Sequence, residues 1–192
     1  MARGTPVTLR CTVQRLNYAE LPALVRLGQA LGVQQVSFLA VDVSTHVAFA
    51  RAEDYNQSLA LRAEDLAGFA AVLDTLERDF GPEFASGFIA ETPAKLRRLR
   101  QYFAGLLGQG GFPAVRCNAP RFSAVIGADG HVQPCYFIDS GTAPSDQPLA
   151  AALNTPAAVA LRRDIRAGRR DECARCVCAM YRGPRSLVLS GF

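Results

Sequence analysis

The 192-residue chain contains no apolar run of about 18 residues, so the sequence predicts no membrane-spanning helix. Its opening residues, MARGTPVTLR, carry charge but lack an apolar core, and do not read as a secretory signal. The expected location is therefore the cytoplasm. Lysine is nearly absent: Lys95 stands alone, and almost all of the positive charge behind the net +4 is arginine. Histidine is scarce too, with only His46 and His131. His46, in VSTHVAF, has no recognisable partner in sequence, and His131 falls in a turn, where it reads as a surface group. The chain has no G-x-S-x-G, H-E-x-x-H, P-loop or G-x-G-x-x-G motif, which removes the commonest hydrolase, zinc-protease and nucleotide-binding readings.

What remains is 49% hydrophobic and 20% charged, the balance of a globular chain able to bury a core. Arginines crowd the C-terminal quarter at 162, 163, 166, 169, 170, 175, 182 and 185. Tyr181 is the one aromatic residue among them, too few for the interleaved rings that a single-strand stacking platform requires, which points away from nucleic acid. The alternative is a solvated helix face with counter-charges beside an anionic thiolate site.

PVTLRCTV at 6–13 reads as a buried strand. Asn17 with Glu20 resembles a capping box for a helix carrying Leu21, Leu24, Leu27 and Leu31 on one face and closing on Gly32. VQQVSFLAV follows as a second strand, completing a βαβ unit that implies parallel pairing. A helix over about 63–79 ends near Gly81-Pro82, and the short strand GFIAE leads through Thr92-Pro93 into another helix. These are β/α repeats, but too few for a closed barrel of roughly 200–250 residues. Asp42, Glu53 and Asp54, at or beyond the end of the second strand, are candidates to face a substrate, against the ordinary reading of a solvated loop.

The glycine-rich GQGGF at 108–112 marks a boundary. Beyond it FSAVI and HVQPCYF flank GADG, a hairpin signal, and a loop over 139–147 precedes a helix that starts at Thr155-Pro156 and stops at Gly168. Ala158, Leu161 and Ile165 share one face of that helix. The predicted fold class is α/β: an incomplete β/α segment over 1–110, then a small α+β module with a β-hairpin over 111–192.

Six cysteines are distributed unevenly. Cys117 and Cys135 should finish at the same end of the hairpin, and Cys173-x2-Cys176 follows the last long helix. Two separated pairs supply the four thiolates of a structural zinc site or an iron–sulfur cluster, and spacing does not separate the two. In a reducing compartment such clusters are more often metal ligands than disulfides. Cys178 is a fifth candidate, a spare thiol or an alternative ligand; Cys11 is most simply a small buried residue in a strand.

The run CNAPRFSAVIGADGHVQPC resembles the opening of the SPASM and twitch modules, C-x(9–15)-G-x4-C, with Cys117, Gly130 and Cys135 in the fixed places. LNTPAAVALRRDIRAGRRDECARC is similar to the helix and C-x2-C that follow there. Upstream, CTVQRLNYAELPALVRLGQALGVQQVSFLAV resembles later β/α units of the radical S-adenosylmethionine (SAM) partial barrel. The resemblance implies one auxiliary [4Fe–4S] cluster on Cys117, Cys135, Cys173 and Cys176, serving electron transfer or positioning of a peptide or small-molecule substrate. Two departures matter. The full SPASM pattern continues C-x5-C-x3-C, but Arg182 and Ser186 stand at those places, so the single-cluster twitch form is closer. The C-x3-C-x2-C motif that binds the SAM-cleaving cluster is absent from the sequence, so SAM enters only if a missing barrel half is supplied. Such a half, or a second copy of the chain, is the expected partner for an unfilled sheet edge. The alternative is a structural zinc-binding α/β interaction module.

Overall fold

The computed structural model describes residues 5–43, 57–139 and 147–183. His46, Glu53, Asp54 and most of the 139–147 loop lie outside the described residues. The described residues fall into two compact units, one ending at Pro113 and the other beginning at Ala114.

In the first unit, β1 (Thr8–Val13) and β2 (Gln35–Ala40) pair in parallel, from Thr8 opposite Gln35 to Val13 opposite Ala40. Helix α1 (Leu21–Ala30) makes the crossover. β2 buries every second residue, Val36, Phe38 and Ala40, as a strand with one face on the core must. On its other side, GFIAE forms a single parallel bridge, Val36 to Ile89, rather than a full strand. Helices α2 (Asp65–Asp79), α3 (Gly81–Ser86) and α4 (Pro93–Leu106) complete the unit. α2 buries Leu66, Phe69, Leu73 and Leu76, and α4 buries Leu96, Leu99, Tyr102 and Phe103, stripes spaced at three and four residues. Phe69 and Phe103 meet edge to face at 6.2 Å, while Arg97 joins the same helices outside through Asp74 and Glu77, both at 2.6 Å. Thr92 caps α4 as expected, its hydroxyl accepting from the Lys95 amide at 3.2 Å.

Two local expectations are corrected. Asn17 does not cap α1: its side chain accepts from the Gln14 amide at 2.9 Å and donates to the Thr12 carbonyl at 3.0 Å. A 3-10 turn, Tyr18–Glu20, enters the helix instead. The buried face of α1 is Leu21, Val25 and Gly28; Leu27 and Leu31 are 48% and 63% exposed. Gly28 explains the rotation, because a Cβ there would stand 2.5 Å from Val36 Cγ2. The helix sits closer to β2 than any side chain permits.

In the second unit, β3 (Val125–Ile126) and β4 (Val132–Gln133) form a short antiparallel hairpin. Gly130 takes φ +80 in its loop, a conformation that favours glycine. Helices α5 (Leu149–Ala152), α6 (Pro156–Arg166) and α7 (Asp171–Ala174) follow. Thr155 caps α6 through the Ala158 amide at 3.2 Å, and Ala158 and Leu161 are buried with Ile165 beside them. The architecture is mixed α/β, with small sheets and no closed barrel among the described residues.

Candidate metal centre

Cys117, Cys135, Cys173 and Cys176 line one cavity of the second unit. Three separate pieces of chain deliver them. Cys117 precedes a 3-10 turn at Ala119–Arg121, Cys135 follows β4 directly after the buried Pro134, and Cys173 lies in the single-turn helix α7. Cys176 closes the next turn, its amide donating to the Cys173 carbonyl at 3.2 Å. That turn is what lets a C-x2-C pair present both sulfurs to one side.

Asn118 draws the ends of the module together, and no sequence motif singles it out. Its amide donates to the Met180 carbonyl at 2.9 Å. Its side chain donates to the Arg182 carbonyl and accepts from the Arg182 amide, both at 2.8 Å. Arg116 adds a stack on Tyr181, 3.7 Å from guanidinium carbon to ring centre. The chain after Cys176 is thereby returned alongside Cys117.

The cavity walls are otherwise mostly apolar, with Val115, Pro120, Phe137, Ile138 and Ile165, and Glu172 the one acid. This burial governs the thiols. Burial raises Cys173 to about 11 and Cys176 to about 12, and the neighbouring cysteines add to both. Cys135 is raised by burial as well, but the Phe137 and Ile138 amides donate to its sulfur and act the other way. The Cys178 amide does the same for Cys176. Thiolates crowded in apolar surroundings repel one another, so the site favours neutral thiols unless a cation joins them.

Thiols that share a cavity do not automatically converge. Among the described residues, no three His, Cys, Asp or Glu side chains already stand as a group that could hold a metal ion. The cavity measures about 20 Å³, room for a water molecule. The cysteines therefore border a common space that a four-iron, four-sulfide cube would have to enlarge. The donor chemistry nonetheless fits such a group: four sulfurs, apolar walls, and amide N–H groups aimed at sulfur, which are the features that hold and tune these clusters.

The remaining candidates lie apart from this cavity or at its margin. Cys178 does not line it, although it is close enough to Cys135 and Cys176 to raise both. Cys11, in the first unit, is half-buried rather than fully buried, with the Asn17 amide group 3.7 Å from its sulfur. His131 is partly exposed in the hairpin loop and bound to Asp129 at 2.9 Å, in keeping with a surface group. Asp42, at the end of β2, is 5% exposed, so the solvated-loop reading does not hold for it. Glu91, which the sequence reading passed over, is also buried, and accepts from the Phe38 amide at 2.8 Å.

Among the described residues, no helix is long and apolar enough to cross a membrane. No curated protein and no solved structure matches the chain. A family model for an iron–sulfur cluster-binding domain, SPASM, matches residues 117–177, about a third of the chain. All four cavity cysteines fall within that span, and Cys178 falls immediately beyond it. The segment that builds the thiol cavity is thus the segment that matches the SPASM iron–sulfur cluster-binding domain, consistent with a C-terminal SPASM module of a radical SAM enzyme.

Proposed function

We propose that Cys117, Cys135, Cys173 and Cys176 hold one auxiliary [4Fe–4S] cluster in the C-terminal portion of a radical SAM protein. The observation that carries this reading is that four cysteines from three chain segments, all inside the SPASM-matching span, line one mostly apolar cavity. When bound, the cluster supplies a one-electron donor or acceptor. The chain's own part is to exclude water with Phe137, Ile138 and Ile165 and to stabilise sulfur charge through the amides of Phe137, Ile138 and Cys178. Cys178 then serves through its backbone rather than as a ligand.

The first unit supports a place within a partial β/α barrel, with parallel β1 and β2 and a bridge at Ile89. SAM cleavage requires a C-x3-C-x2-C segment, which this sequence does not contain, so a complementary barrel half would have to supply it, while a second copy of the chain could only cover an open sheet edge. The reaction would modify a peptide or a small molecule. The test is anaerobic purification followed by iron, sulfide and zinc analysis. About four irons and four sulfides per chain, with a brown chromophore, are expected. One zinc with no sulfide would establish the zinc-module reading in its place.

A further inference from the structure

Charge is divided sharply along this chain. Residues 1–113 carry eleven Lys and Arg against eleven Asp and Glu, so the whole net charge of +4 belongs to residues 114–192, with ten arginines against six acids. Within the second unit the arginines divide again. Arg163 and Arg169 pair with Asp164, and Arg170 pairs with Glu172. Arg116, Arg121, Arg162, Arg166 and Arg182 instead line a cavity of about 680 Å³, the size of a small-molecule site, and no acid lines it.

Three of these five are held in place by neutral groups. Arg116 donates to the Tyr181 hydroxyl at 2.6 Å. Arg162 donates to the Leu153 carbonyl at 2.7 Å and to Asn154 Oδ1 at 2.8 Å. Arg182 lies over the Phe122 ring at 4.7 Å. For Arg121 and Arg166 there is no side-chain ion pair or hydrogen bond among the described residues. Five cations around one space repel one another, and guanidinium is permanently charged, so the repulsion cannot be relieved by losing a proton. An incoming anion relieves it, and guanidinium forks match the oxygens of carboxylate or phosphate two at a time.

We infer that this cavity is a binding site for an organic polyanion, a molecule bearing at least two phosphate or carboxylate groups. Arg162 and Arg116 act as a fixed floor, and Arg121 and Arg166 close on the ligand. Cys117 lines both this cavity and the thiol cavity, so the anion would lie beside the proposed cluster. The inference stands on the arginines and does not depend on that cluster.

The test is calorimetric titration of the anaerobically purified chain with pyrophosphate and, separately, citrate, in low-salt buffer free of phosphate and sulfate. Saturable one-to-one binding of at least one probe is expected, tighter for pyrophosphate if the natural ligand is phosphorylated and for citrate if it is a polycarboxylate. The double variant R121Q/R166Q should weaken binding at least about tenfold, each single variant less. Arg163→Gln, which removes an exposed charge outside the cavity, should leave it within about twofold. No saturable binding of either probe, or equal weakening by Arg163→Gln, would overturn the inference. Iron content measured on the same samples reports on the thiol site alone, which keeps the two readings separable.

Discussion

Replacing Glu91 by leucine tests how the GFIAE segment is held against β2. Glu91 is 4% exposed and stands just past the only bridge joining that segment to the strand. One carboxylate oxygen accepts from the Phe38 amide at 2.8 Å; the other accepts from the Ser37 hydroxyl at 3.2 Å and meets Lys95 Nζ at 3.7 Å. Leucine fills much of the same volume but leaves a buried amide without an acceptor, a loss of about 1–3 kcal/mol. The Ser37 bond adds about 1 kcal/mol. The Lys95 pair, half exposed on the lysine side, adds less than about 1 kcal/mol. The expected total is roughly 2–4 kcal/mol, which for a unit of this size lowers the melting temperature by on the order of 10 °C or more. Glu91→Gln keeps one oxygen for the Phe38 amide and should lose about half as much. Urea denaturation gives the energies, and hydrogen exchange at the Phe38 amide gives the location. Equal losses for Gln and Leu, or a Leu variant within about 0.5 kcal/mol of the parent, would refute the reasoning.

Three other outcomes follow from the same geometry. Cys135→Ser or Cys117→Ser should abolish the visible chromophore of anaerobically purified protein and lower its iron content, whereas Cys178→Ser should keep both; iron loss from Cys178→Ser would mean the fourth ligand was misassigned. Gly28→Val should destabilise the first unit by about 1–3 kcal/mol or more in urea melts, since the added carbon meets Val36 at 2.5 Å. Asp164 is held below the usual carboxylate range by its hydrogen bond from Arg169. Its contribution to stability is therefore present at neutral pH and is lost as pH falls through its depressed folded-state value. Arg169→Gln should move the Asp164 titration upward in carboxyl NMR, with Arg163 left as the weaker partner.

Legibility in the sequence followed the range of the interactions. Thr92-Pro93 and Thr155-Pro156 were readable because a cap is closed within three residues, by Lys95 and Ala158 respectively. Asn17 offered the same local signal and failed, because Gln14 and Thr12 upstream competed for its side chain. Leu27 and Leu31 have the right period for a core face, yet α1 turns them outward to bring Gly28 onto Val36. GFIAE has strand composition, but the Glu91 carboxylate takes the Phe38 amide that a continuing ladder would have used.

The sequence by itself determined the chemistry available: four cysteines at spacings that resemble SPASM and twitch modules, no SAM-cleaving motif, and arginine as almost the only cation. Those properties belong to residue type and spacing, which need no folding to be read. Only the tertiary structure decided which thiols share a cavity, that Asn118 ties residues 180–182 beside Cys117, and which arginines face acids and which face one another. Those properties depend on contacts between residues as far as 64 positions apart, and such contacts are set by packing rather than by any local preference.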